Sequence, residues 1–180
     1  DFLKWYGNLD IKHKILIAGN HDAFAAIAPQ ELKDLCDHYH INYLENESIN
    51  IEGINIFGTP LTPSFGNWYF MKARHKIGEY WKLIPDNTDI IVIHGPPKGI
   101  MDLSYNSEGK LEFCGCKALR NEILNRIKPK YVLSGHIHNY EDIINAGVLK
   151  LSDYKTIFSN GSVVTDGKFG ILSSNGNILE

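Results

Sequence analysis

Three stretches of this chain end an apolar run in glycine beside side chains able to ligate a metal ion. They are Lys14-Ile15-Leu16-Ile17-Ala18-Gly19-Asn20-His21-Asp22, Asp89-Ile90-Ile91-Val92-Ile93-His94-Gly95-Pro96-Pro97 and Tyr131-Val132-Leu133-Ser134-Gly135-His136-Ile137-His138. A histidine after one buried strand is more often packing than a ligand, because imidazole serves both purposes. Three such ends in one chain are far more specific. Neutral imidazole suits borderline divalent metals, the Asn20 amide oxygen is a harder neutral donor, and the neighbouring glycines let the backbone approach an ion. His136 and His138 leave an extended backbone on one face. His38 and His40 share that spacing but fall at the end of an expected helix, where residues two apart diverge. With His13 and His75 they read as surface or cap residues.

The elements that must carry these ends alternate between helical and strand periods, which predicts a mixed α/β architecture in a single domain over residues 1–180. Pro29 can open a helix with Leu32, Leu35, Cys36 and Tyr39 on one apolar face. Ser48 to Phe57 alternates apolar and polar about Glu52-Gly53 and reads as a hairpin. A second helix is expected from about Lys72 to Leu83 and a third from about Gly115 to Ile127, stopped by Pro129. Ile157-Phe158-Ser159-Asn160 reads as strand, and Asn175-Gly176 predicts a terminal hairpin.

Composition narrows the function classes. The 180 residues are 43% hydrophobic and 22% charged, enough for a sizeable core. No apolar run approaches the roughly 18 residues that a membrane span needs, and no signal-peptide pattern opens the chain. A formal net charge of −3 disfavours duplex nucleic acid as a partner, which would want a basic stripe, but leaves a nucleotide substrate open. Cys36, Cys114 and Cys116 form neither a disulfide framework nor a zinc knuckle, so a reducing, cytoplasmic compartment is expected. Asn46-Glu47-Ser48 and Asn160-Gly161-Ser162 fit the glycosylation acceptor pattern, which short sequences meet by chance. Nothing in the sequence fixes the oligomeric state.

In the residues Gly19 to Asp22, His94-Gly95 and Gly135 to His138 the chain resembles the calcineurin-like metallophosphoesterase superfamily, whose late motifs run in this order. Gly58-Thr59-Pro60-Leu61-Thr62-Pro63 with Trp68, His94-Gly95-Pro96-Pro97 and Pro129-Lys130-Tyr131 are similar to the metallophosphoesterase-domain-containing group of small phosphodiesterases. The resemblance implies a four-layer α/β/β/α sandwich of two mixed sheets. The superfamily's opening Asp-X-His and Gly-Asp motifs are not found from Asp1 to Lys14. The chain is therefore expected to be an N-terminally truncated copy, lacking its first strand-loop units.

The same resemblance implies roles. Asn20, His94 and His136 would hold one metal ion and His138 a second, while His21 would sit beside the phosphate as the catalytic residue. A complete domain would use two divalent ions, of manganese, iron, zinc, cobalt or nickel, to neutralise the phosphoryl group and present hydroxide. The bridging carboxylate belongs to the absent motifs, and neutral donors alone compensate a doubly charged ion poorly. At most one ion is expected here. Asp22 reads either as an acceptor orienting a neighbouring group or as a helix N-terminal acid. Phe65, Trp68, Tyr69 and Phe70 favour core packing over an aromatic wall for a stacked base. Asp102 resembles a recurrent family position without a role. The expected function is a metal-dependent phosphoesterase acting on phosphodiesters, such as a cyclic nucleotide or another small phosphate ester. The alternatives are a phosphomonoesterase or protein phosphatase on the same site, or a catalytically silent domain that binds a nucleotide or a protein.

Overall fold

The computed structural model describes residues 1–165, 170–173 and 175–179. In chain order it runs α1 (Phe2–Gly7), β1 (Ile15–Leu16), α2 (Ala23–Ile27), α3 (Pro29–His38), β2 (Asn42–Tyr43), β3 (Glu47–Ile51), β4 (Ile54–Thr59), β5 (Thr62–Pro63), β6 (Met71–Lys72) and α4 (Gly78–Trp81). It continues with β7 (Ile90–Ile93), β8 (Leu103–Tyr105), β9 (Leu111–Phe113), α5 (Lys117–Asn121), a π-helix (Glu122–Ile127), β10 (Tyr131–Ser134), β11 (Gly147–Lys150) and β12 (Ile157–Asn160). Among the described residues no helix is long and apolar enough to cross a membrane.

A six-stranded sheet in the order β11-β12-β10-β7-β4-β3 is the frame. Its four central strands are parallel and its edge strands β11 and β3 antiparallel. The register pairs Phe57, Ile91, Val132 and Phe158 across the parallel strands, so that these residues, with Ile93, project to one face. There they meet Ile77, Trp81, Leu119, Ile123 and Ile127 from the helical segments in the main core. On the opposite face β1 and β2 form a separate two-stranded parallel pair. Ala18, Ile41 and Tyr43 from this pair and its flanks form a second core with Ala25, Leu32 and Cys36 of α2 and α3. The result is the mixed α/β sandwich expected from the sequence. Its second sheet is narrower than a full mixed sheet: among the described residues β1 pairs with β2 alone.

The hairpin about Glu52-Gly53 is present as β3–β4, and both turn residues have positive φ, 52° and 86°, the geometry of a two-residue turn whose twist matches its strands. The Pro29 helix forms with Leu32 and Cys36 buried, while Leu35 lies at the edge of the stripe and is exposed. The helix expected from Lys72 to Leu83 shrinks to Gly78–Trp81, because the preceding backbone is taken by a sheet: Thr62 and Ser64 N–H donate to the Phe70 and Lys72 carbonyls. The Gly115–Ile127 helix opens as α5 and ends as a π-helix. Lys128 N–H there donates to the Ile123 carbonyl five residues back, and Lys128 turns left-handed before Pro129. The terminal hairpin at Asn175-Gly176 is not formed among the described residues. Asn177 Nδ2 instead donates toward Gly147 O, Ser159 Oγ and Asn160 O, docking the tail on β11 and β12.

Gly58 of β4 is where the two sheets meet. A Cβ built there would lie 2.3 Å from Leu44 Cβ and 3.1 Å from Ile17 Cγ2, so the glycine is required for close approach. Gly58→Ala is expected to force the layers apart and cost about 1–3 kcal/mol, the usual penalty of overpacking. A urea midpoint unchanged from the parent would contradict this packing.

Candidate metal centre

The parallel strands place their carboxyl ends along one edge, where ligands characteristically bind in open α/β sheets. The ladder continues past the strands: His94 N–H donates to Thr59 O, Gly135 N–H to His94 O and Gly161 N–H to Ser134 O. His94 and His136 are thereby delivered from adjacent strands, and their rings lie 4.5 Å apart between centroids. Asn20 arrives from the other layer, after β1, and its Oδ1 lies 2.7 Å from His94 Nε2. A Cβ on Gly19 would stand 2.6 Å from His94 Cε1, so only glycine lets this turn close on the ring.

His21 and His138 line the same cleft of about 620 Å³, which is within the usual range for a small-molecule site. His136 has φ +69°, an uncommon conformation for a residue with a side chain. Such a backbone costs of order 1–3 kcal/mol and persists only where surroundings impose it. Two buried asparagines hold the residues that follow His136. Asn160 Nδ2 donates to Ile137 O at 2.9 Å, and Asn145 Nδ2 donates to His138 O at 2.8 Å and to Leu103 O at 2.9 Å. Both side chains are almost completely enclosed, so neither amide has water as an alternative.

Burial depresses the basicity of His94 to a pKa of about 4, helped by His21 and His138, and that of His136 to about 3, helped by His94, His138 and His21. Both rings are neutral at pH 7, the state in which imidazole nitrogen can ligate. Among the described residues no group of three or more His, Cys, Asp or Glu is arranged around a common point. The polar convergence is that of Asn20 with His94 and His136.

The remaining sequence candidates take distinct places. Asp22 stands at the start of α2 without capping it. Its carboxylate accepts the Gly19 N–H at 2.6 Å and braces the turn carrying Asn20 and His21. The Trp68 ring lies tilted against His21 with centroids 4.4 Å apart, and the Phe65 ring centroid lies 5.3 Å from that of His136. The expectation of core packing therefore fails for Phe65, Trp68 and Tyr69, which are exposed, and holds only for Phe70, which packs against the core. Tyr69 N–H donates to Asn20 O, and this backbone bond holds the aromatic loop over the cleft instead of inside the protein. Asp102 is buried beneath the cleft, accepting Gly99 and Gly115 N–H on Oδ2, while Oδ1 has no partner. His13, His38, His40 and His75 are exposed, as expected.

Comparison with known proteins decides the family. Residues 1–140 match the model of the calcineurin-like phosphoesterases. The chain belongs to that family. It is 30% identical to metallophosphoesterase domain-containing protein 1 of Homo sapiens, over 91% of this chain and 54% of that protein. It is 32% identical to a UPF0046 protein of Caenorhabditis elegans, over 77% of this chain and 41% of that protein. A probable rhamnogalacturonate lyase C of Emericella nidulans is 31% identical over 74% of this chain, but only 13% of its own length is involved. The chain thus spans about half the length of the human relative. The family is one of hydrolases that generally bind divalent metals, and it agrees with the superfamily and the group that the sequence motifs resemble.

Sequence reasoning missed Asn145, Asn160 and Arg74. Asn160 carried a usable mark, because Ile157-Phe158-Ser159-Asn160-Gly161 repeats the pattern of an apolar run emptying into a polar residue and glycine. As a glycosylation acceptor Asn160 is excluded by its 0% exposure. Arg74 lay in a stretch expected to be helical and had no such mark.

Asp102 yields a pH test. Burial raises its pKa above the ordinary carboxylate value despite the Gly99, Gly115 and Ile100 amides, so the folded protein holds this proton to higher pH than the unfolded chain. Its contribution to stability is then complete below about pH 3.9 and is lost as pH rises through the folded pKa. Asp102→Asn is expected to flatten the fall in stability from pH 4 upward. Asp102→Ala strands two amides at about 1–3 kcal/mol each. Urea titrations from pH 4 to 7 that give parallel curves for Asp102→Asn and the parent would contradict the buried charge.

Proposed function

We propose that this site hydrolyses phosphate esters with the help of divalent metal, acting on phosphodiesters such as a cyclic nucleotide or another small ester. The observation that carries the reading is the meeting of Asn20 Oδ1, His94 Nε2 and the His136 ring at the edge of the parallel sheet. A hydrogen bond alone does not explain why three glycine-flanked ends from two layers supply neutral nitrogen and oxygen donors to one place. The donors fit a borderline divalent ion. Asn20, His94 and His136 would hold one ion and His138 would contribute to a second; when bound, such ions supply Lewis acidity and a hydroxide nucleophile.

The chain's own residues then do the following. His21, exposed at the cleft wall and fixed in orientation by Trp68, donates a proton to the leaving oxygen or a hydrogen bond to the phosphoryl group. The turn braced by Asp22 sets where that ring stands. Asn145 and Asn160 hold the His136–His138 backbone so that its imidazoles do not have to be ordered at the moment of binding. Phe65 and Trp68 shield the histidines from bulk water and offer an apolar face to the substrate.

One observation favours the second reading, a silent ligand-binding domain. Glu112 is the only acid among the described residues lining the cleft, and neutral donors leave a dication uncompensated. The 180 residues are accordingly expected to bind at most one manganese ion, weakly. Asn20→Ala or His94→Ala should abolish that binding. His21→Ala should keep the ion and lower hydrolysis of bis(4-nitrophenyl) phosphate by about 100 to 10,000-fold, the typical worth of a positioned general acid. Equilibrium dialysis and the hydrolysis assay together decide. No ion bound at all establishes the silent domain; two tightly held ions overturn the donor count; loss of the ion in His21→Ala overturns the role of His21.

A further inference from the structure

The cleft extends beyond the histidines to a cation that the proposed chemistry does not use. Arg74, which is solvent-facing, lines it together with Glu112, Cys114 and Gly115. Its Nη1 donates to Gly115 O at 3.1 Å and its Nη2 to Cys114 O at 2.8 Å. Two of the five guanidinium N–H groups are thus committed to backbone and three are left. Among the described residues Arg74 makes no ion pair, whereas Arg126 is paired with Asp86 and Glu122.

The seat of Arg74 is itself rigid. Gly115 lies so close to its surroundings that a Cβ would stand 2.7 Å from Pro96 O and 2.8 Å from Asp102 Oδ2. Asp102 Oδ2 accepts the Gly115 N–H, and the Asp102 carbonyl accepts the Cys114 N–H at 3.0 Å. The buried acid therefore fixes the two carbonyls that fix the guanidinium. A planar fork held in advance, with unused donors and no counterion, suits a carboxylate or phosphoryl group, which guanidinium engages in paired, charge-assisted hydrogen bonds. A cationic group would gain nothing there, and a purely apolar one would leave the charge unanswered.

We propose that Arg74 is a specificity-determining residue that binds a second anionic group of the substrate, at a distance from the ester being cleaved. The inference rests on the phosphoesterase reading for the reacting end and narrows its substrate class: phosphoesters whose organic portion also carries a carboxylate or another phosphoryl group. Asp102, Cys114 and Gly115 are its positioning residues.

The test uses two uncleavable ligands that differ by one charge, phenylphosphonate and 4-phosphonobenzoate, titrated into the 15N-labelled chain with Zn2+. The Arg74 Nε–H resonance should shift with 4-phosphonobenzoate and not with phenylphosphonate, and the carboxylated ligand should bind about tenfold more tightly. Arg74→Gln should bring the ratio of the two dissociation constants to about one, with Arg74→Lys between. A resonance that moves with neither ligand, or equally with both, overturns the inference, and this measurement needs no variant to fold. Hydrolysis of an aryl phosphodiester is read separately. Absent turnover with the selective shift intact removes the phosphoesterase reading and leaves the anion site of Arg74 standing.

Discussion

The parallel alignment of β4, β7, β10 and β12 is the constraint on which the rest depends. Parallel strands must all end in one direction, and each needs a covering crossover on the way back. Chain ends that are far apart in sequence are thereby brought to a single edge without any attraction between the ends themselves. The His94 N–H bond to Thr59 O and the Gly135 N–H bond to His94 O carry that alignment one residue beyond each strand. The points at which the two histidine-bearing segments leave the sheet are thus set by strand spacing, which the main core of Phe57, Ile91, Val132 and Phe158 against Trp81 and Leu119 holds in place.

What the sheet cannot set is the conformation of the loop after β10, where His136 turns left-handed and the ladder stops. Side-chain amides take over there. Asn145 and Asn160 each offer two N–H donors and one acceptor, one donor more than a peptide group, and act as a substitute strand for a backbone that has left the sheet. The Asn145 amide accepts Leu103 N–H and donates to Leu103 O and His138 O, while Asn160 Oδ1 accepts Ser162 N–H. Enclosure makes these bonds obligatory, since an unpaired amide in that position has no water to turn to. The loop bearing two histidines is therefore rigid because its polar groups have no alternative partners.

The parts legible in the sequence are those governed by local periodicity and by repetition. The β3–β4 hairpin, the Pro29 helix and the three strand ends could all be read, because period, turn chemistry and glycine placement speak for themselves within about ten residues. The convergence of Asn20 with His94 followed from the shared pattern and not from any residue alone. The failures have a common cause. The helix expected from about Lys72 loses its start because Thr62 and Ser64, eight residues away, claim the Phe70 and Lys72 carbonyls. Phe65, Trp68 and Tyr69 were assigned to the core because aromatic residues bury apolar area well. A single backbone bond from Tyr69 to Asn20, invisible in sequence, holds them outside. Asn145, Asn160 and Arg74 likewise act through carbonyl groups, which every residue possesses and no sequence distinguishes.

The electrostatics of the cleft follow from the same frame. His94 and His136 sit close enough, with His21 and His138 nearby, that a proton on one opposes a proton on the next, and burial opposes both. His94 and His136 can therefore stay uncharged near neutrality without a neighbouring carboxylate. Neutral donors facing one another across 2.7 Å also repel when both present lone pairs, unless a proton or a cation lies between them. In the protein alone a proton on His94 Nε2 can fill that place, at the expense of fixing the tautomer. A divalent ion would displace it and use both lone pairs at once. The exchange moves the ring proton to Nδ1 without releasing it, so it costs a change of tautomer and not a proton, and it gives the strand-end asparagine a purpose that an apolar residue of the same size would not serve.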